Sequence, residues 1–180
     1  MRYLLIGWLV FINAGCTVTG NQPALHDFGL PVSAAAQART SVTVNAPTWL
    51  WDNRIRYRLL FASPSQVRFY GLDRWIASPP ELLEQLLASS DKTKDYALIV
   101  RLQDFEQQFD APDRARAVLR FSVDAYAADN AQKIGTQEFY LQQSTKTPDA
   151  MGAISGFTDL TQQAGERIQY WLTGLSNHPH

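Results

Sequence analysis

YALIVRLQDFEQQF (96–109), ARAVLRFSVDAY (115–126) and KIGTQEFYLQQ (133–143) are three long runs in which apolar and polar residues alternate. Successive side chains of a strand point to opposite faces, so alternation of this kind marks a strand with one buried side. Leu98, Val100 and Leu102 share a face of the first run, Ala117, Leu119, Phe121 and Val123 a face of the second, and Phe139 and Leu141 a face of the third. The connections, DAPD (110–113) and ADN (128–130), are short and polar. Tight turns join antiparallel neighbours. The three runs therefore predict an antiparallel meander whose apolar face needs a cover.

The flanking sequence supplies that cover. Ser78, Pro79 and Glu81 stand at the spacing of a capped helix start, and Leu82, Leu83, Leu86 and Leu87 follow at helical intervals. A second helix starts at Thr147, Pro148 and Asp149. Its stripe of Ile154, Phe157, Leu160, Ala164, Ile168, Trp171 and Leu175 runs for about seven turns. Upstream, SVTVN (41–45) is a short strand ended by Ala46 and Pro47, and Trp49 and Trp51 sit in a turn or short helix with exposed aromatics. Residues 54–61 and 67–70 are two further strands around a Ser63-Pro64-Ser65 turn. The order is three strands, a helix, three long strands and a helix. It predicts an α/β two-layer sandwich, a mostly antiparallel sheet of about six strands with two helices on one face. Residues 41–176 form this single domain, and 177–180 are a tail.

The N-terminus has a different character. Arg2 precedes an apolar run through Ile12, then come Ala14, Gly15 and Cys16, after which the chain turns polar. A basic start, about ten apolar residues and small residues at the end make a secretory signal, and the run falls short of the roughly 20 residues that span a bilayer. Ala-Gly-Cys at that place resembles a lipobox, with Asn13 where Leu is usual. Residues 1–15 are thus expected to be a signal peptide and Cys16 the site of lipid attachment. Diacylation plus a third chain on the new amino group is enough for stable anchoring. Thr17, rather than Asp, follows the cysteine, which points to the periplasmic face of the outer membrane. Residues 16–40 then form the lipidated N-terminus and a linker holding the domain off the bilayer, with one short ordered segment at 25–30.

The chemistry the chain lacks narrows its function. Of the 180 residues one is cysteine and three are histidine, His26, His178 and His180, all expected outside the domain. A body without histidine builds no Ser-His-Asp triad and no ordinary zinc site. Gly152 and Gly156 lack the Lys-Ser/Thr of a phosphate loop. Asp104, Glu106 and Asp110 cluster near a strand end, and a solvated strand end is the preferred reading over a paired-carboxylate site. No enzyme activity, cofactor or metal is expected. A net charge of −1 gives no field to attract nucleic acid. The feature most suggestive of a contact surface is Arg54, Arg56 and Arg58 on one strand face, with Arg68 and Arg74 near in sequence and Trp49, Trp51 and Trp75 beside them. Such arginines meet lipid phosphates or an acidic partner, or else pair with carboxylates on neighbouring strands.

Several stretches in order carry a resemblance: VNAPTWL (44–50), IRYR (55–58), Tyr70 with DRW (73–75), SPPELL (78–83) and LQDFEQ (102–107), behind the lipobox-like leader. The series resembles the ABC-type transport auxiliary lipoprotein family, the PqiC-like proteins, over about residues 40–175. The pair Trp49 and Trp51 departs from the family's usual pattern by an extra Trp. The resemblance implies a non-enzymatic lipoprotein that works with an ABC permease and ATPase and a mammalian-cell-entry (MCE) protein, moving lipids or other hydrophobic molecules between membranes. It also implies a docking role at the outer membrane and a homo-oligomer. A stand-alone periplasmic lipid- or ligand-binding lipoprotein is the alternative, and it would need an apolar cavity between the second helix and the sheet.

Overall fold

The computed structural model describes residues 21–29, 41–89, 96–129 and 132–176; the leader, Cys16 and the histidines of the tail lie outside them. Seven strands, β1 (Ala24–His26), β2 (Ser41–Asn45), β3 (Arg54–Leu59), β4 (Val67–Trp75), β5 (Tyr96–Ala111), β6 (Arg114–Ala127) and β7 (Lys133–Ser144), form one sheet. Helices α1 (Pro79–Ala88) and α2 (Ala150–Ser176) cover one face, giving the two-layer α/β sandwich that the alternation predicts. No helix among the described residues is long and apolar enough to cross a membrane.

β5 is the spine. β6 runs antiparallel along one edge, from Tyr96↔Ala127 to Ala111↔Arg114, and β7 continues the meander beyond it. The other edge of β5 is shared end to end. β2 lies parallel beside residues 97–101, and β3 lies parallel beside residues 107–109. Pro47, which has no N–H to donate to a ladder, falls between them, and a 3-10 turn, Thr48–Leu50, carries the chain from one to the other. β4 pairs antiparallel with β3, and β1 pairs parallel with the end of β4.

β5 is not straight. Its register shifts between Leu102 and Asp104. Leu98, Val100 and Leu102 face the helices, and beyond the extra residue it is Phe105, Gln107 and Phe109 that do so. The bulge thereby turns Asp104 and Glu106 onto the helix-free face.

Two expectations need correction. Residues 16–40 are not all linker: β1 belongs to the sheet, and Phe28, 1% exposed, is part of the core. With β1 the sheet has seven strands among the described residues, in keeping with the expected sandwich of about six, and the domain begins upstream of residue 41. His26 is inside it too, its Nε2 lying 2.8 Å from Asp73 Oδ1. An exposed three-residue strand carries too few apolar side chains to show a period.

The helices begin where caps hold them. The Ser78 backbone N–H donates to Glu81 Oε2 at 2.8 Å, the reciprocal box that the Ser-x-x-Glu spacing predicts. Glu84 Oε2 accepts from the backbone of Val44 at 2.9 Å and pins α1 to β2. On α2 the cap is Asp149, whose Oδ1 accepts from Gly152 N at 2.8 Å, so the helix starts later than a Thr147 cap would put it. Ala153, Phe157, Leu160, Ala164, Ile168 and Leu172 are its buried stripe, while Trp171 and Leu175 pack at the margin.

Glycine near the start of α2 is a steric necessity. A Cβ on Gly152 would sit 1.9 Å from the Thr147 carbonyl oxygen, while one on Gly165 would meet nothing within 4 Å. Gly→Ala inside a helix ordinarily gains up to about 1 kcal/mol. Gly165→Ala is expected to show that gain. Gly152→Ala is expected to reverse it and lower stability by at least about 1 kcal/mol. Thermal melts of the two variants check the pair of signs.

Candidate functional site

On the helix-free face the 3-10 turn, β3, β4 and the bulged part of β5 enclose an open cleft of about 690 Å³. Trp49, Arg54, Arg56 and Arg58 line it, together with Asp52, Phe69 and Asp104. The sequence pattern singled out the first four. Asp52 and Phe69 were missed, although Phe69 is the cross-strand neighbour of Arg56 and lies on the same face.

The three arginines of β3 are held differently. Arg54 pairs with Asp52 through Nε at 2.8 Å and through Nη2, and its guanidinium lies 3.8 Å from the Phe69 ring centre. This hydrogen bond holds the Asp52 carboxyl below the usual carboxylate range. Arg58 grips Glu106 with a two-pronged fork, at 2.9 and 3.0 Å, and gives its remaining nitrogen to the Pro64 carbonyl. Its pKa rises, chiefly through the Glu106 bond. Arg56 is 8% exposed and among the described residues donates only to the Trp49 carbonyl, at 3.0 Å; its Nε is buried and has no partner there. Burial pushes its pKa down, against the partly offsetting charge of Glu106.

The rest of this face is a lattice of charge pairs. Asp104 meets Arg120 at 2.6 Å, and Asp110 meets Arg116. Asp104, Glu106 and Asp110 each therefore serve an arginine, rather than standing free as a pair of carboxylates. Asp124, 2% exposed, accepts from Arg101 at 2.6 Å, Thr136 at 2.7 Å and Lys133 at 2.8 Å. Those bonds, led by Lys133 and Thr136, hold its carboxyl well below the usual range. Among the described residues no group of three or more His, Cys, Asp or Glu side chains is placed to hold a metal.

The other predicted contact residues divide. Trp51 is half exposed beside the cleft, with its indole N–H donating to the Ala46 carbonyl at 3.2 Å. Arg74 lies across from Arg54 on β4 and outside the cleft lining. Trp75 is a correction: at 1% exposure it belongs to the core, between Phe28, Phe105 and Phe157, and offers a partner nothing. One pleat separates it from the arginine face, and an aromatic in sequence does not disclose which side it takes. Cys16 lies outside the described residues.

A second groove, of about 820 Å³, runs between the outer strand β7 and the C-terminal half of α2, under Tyr140, Tyr170 and Trp171. It opens at the sheet margin. Between α2 and the sheet proper, Ala153, Leu160, Ala164 and Ile168 are fully buried against Leu119 and Phe121.

No protein-family model and no curated protein matches the chain. Solved structures do resemble it. A Xanthomonas campestris protein of the DUF330 family superimposes with a TM-score of 0.66 at 13% identity, over 77% of this chain and 84% of that one. An uncharacterized protein does so at 0.63 and 16% identity, over 84% of this chain and 99% of the other. What these two share with the chain is its fold.

Asp124 gives the face a measurable pH dependence. Its carboxyl titrates lower folded than unfolded, so its contribution is complete above the unfolded value near 3.9 and is lost as pH falls through the folded one. Asp124→Asn is expected to cost about 1–2 kcal/mol at pH 7. The gap to the parent should narrow as pH falls from about 5 to 2. Urea midpoints across that range are the check.

Proposed function

We propose that this chain is an outer-membrane-anchored periplasmic lipoprotein that serves as the auxiliary, docking component of an ABC transporter–MCE system moving lipids or other hydrophobic molecules across the envelope. The observation that carries the proposal is how its ordered motifs meet in space. Arg56 of IRYR donates to Trp49 of VNAPTWL, and Arg58 of the same motif is forked on Glu106 of LQDFEQ. Tyr70 donates to Gln107 at 2.5 Å, and Trp75 of DRW packs on Phe105 at 5.9 Å. Stretches that resemble one lipoprotein family in sequence thus meet through both faces of the sheet, the arginines at the cleft and Tyr70 and Trp75 on the helix side.

Other features support the same reading. The leader ends in Ala-Gly-Cys16, with Thr17 next. The fold is shared with a DUF330 protein over most of both chains. Its partners would be an MCE-domain protein with the permease and ATPase, and the outer membrane through acyl chains on Cys16. A homo-oligomer fits the same reading, and the role is non-enzymatic.

The stand-alone lipid-binding alternative is weaker. It requires an apolar cavity between α2 and the sheet, where buried side chains meet instead. The β7–α2 groove is open and carries Glu138, Glu166 and Arg167.

Two measurements test the proposal. Cys16→Ser is expected to release a soluble form or leave an uncut precursor, seen by fractionating the envelope. Crosslinked pull-down in mild detergent is expected to recover an MCE-type protein. Its repeated absence would overturn the docking role while leaving the anchor standing.

A further inference from the structure

Of the three arginines that line the cleft, one is left without a carboxylate among the described residues. Asp52 is taken by Arg54, Glu106 by Arg58 and Asp104 by Arg120. Arg56, the most buried of these arginines, reaches no carboxylate among the described residues, and its buried Nε has no acceptor there. Taking a cation out of water without a counter-charge is expensive. A well-packed apolar residue in its place would be neutral or stabilising. Groups that cost stability in this way are retained where they serve a site.

The surroundings define what would complete it. A guanidinium edge is built to hold two oxygens of one oxyanion. The cleft's capacity, about 690 Å³, is that of a small-molecule site. Trp49, 62% exposed, Val67 and Phe69 give it apolar walls. Asp52 and Asp104 also line it, but each is already neutralised by its arginine, so the net attraction for an anion centres on Arg56.

We propose that Arg56 anchors a binding site for a phosphate-bearing molecule with an apolar portion, the phosphate on the Arg56 guanidinium where it lines the cleft and the apolar portion against Trp49 and Phe69. A lipid headgroup and a soluble phosphate ester both carry this chemistry. The site goes beyond the docking role and does not require it.

The test uses full-length protein in dodecyl maltoside, followed by tryptophan fluorescence. Hexyl phosphate is expected to give a saturable change, and hexanol none. Arg56→Met is expected to weaken hexyl phosphate at least tenfold while melting no lower than the parent. Should that variant fail to fold, Arg56→Lys keeps the charge, loses the fork and is expected to show the same loss. Competition by phosphatidylglycerol in mixed micelles assigns a lipid headgroup, and competition by glycerol 3-phosphate alone assigns a soluble ester. Binding by Arg56→Met within twofold of the parent, no saturation by hexyl phosphate, or saturation that neither competitor relieves would each overturn the site. Hexyl phosphate titration needs no MCE-type partner, and pull-down of the parent is run without hexyl phosphate, so loss of the ligand and loss of docking are read separately.

Discussion

Four aromatic rings hold the fold together. Phe105 stacks on Phe157 at 3.9 Å, and Trp75 meets both, as well as Phe28, at 5.2 to 6.0 Å. These rings come from the spine strand, the long helix, an outer strand and the N-terminal segment, so one contact set fixes parts of the chain far apart in sequence. Losing a buried ring of this size costs about 3–5 kcal/mol, a large share of the 5–15 kcal/mol that a domain has in all. The bulge between Leu102 and Asp104 is what makes the arrangement possible. Without it Phe105 would point away from α2, and the carboxylates of LQDFEQ would point into the core.

The same bulge creates the opposite face. Once Asp104 and Glu106 are turned outward, they meet Arg120 and Arg58, and the helix-free side of the sheet is covered by charge pairs rather than by a further layer. Exposed pairs contribute little each, about 0–1 kcal/mol. Their larger effect here is on register, because each arginine matches a carboxylate only in the observed alignment. Of the arginines that line the cleft, Arg56 alone pairs with no carboxylate among the described residues.

Much of this was legible in the sequence, for identifiable reasons. Period-two runs of a dozen residues leave little freedom, so the meander and its buried faces emerged directly. Ser78 and Glu81 announced α1 by their spacing. The arginine alternation on β3 located three cleft residues. Pairing partners were less accessible: nothing local says that β2 and β3 lie in line along one edge of β5, because parallel register is set by contacts distant in sequence. The bulge did leave a trace, the three-residue step from Leu102 to Phe105 in a chain otherwise alternating by two. β1 left only the short segment at 25–30, with no period to mark it a strand, and Trp75 was misplaced by a single pleat.

The placement of β1 changes what an anchor at Cys16 would do. A linker running to residue 40 would let the domain range far from the bilayer. With β1 starting at Ala24, only eight chain steps separate it from Cys16, and eight steps reach at most about 28 Å. On the anchored reading, the β1–β4 end of the sheet is kept within that distance of the acyl chains, and β7, at the opposite end of the strand order, is left farther from the tether. The end held close carries exposed Leu25 and Leu72 on β1 and β4, and exposed Ile76 just past β4. β3, which bears the arginine cleft, is the next strand in. On that reading a tether this short would constrain orientation as well as distance, and the anchor and the cleft would be parts of one geometry.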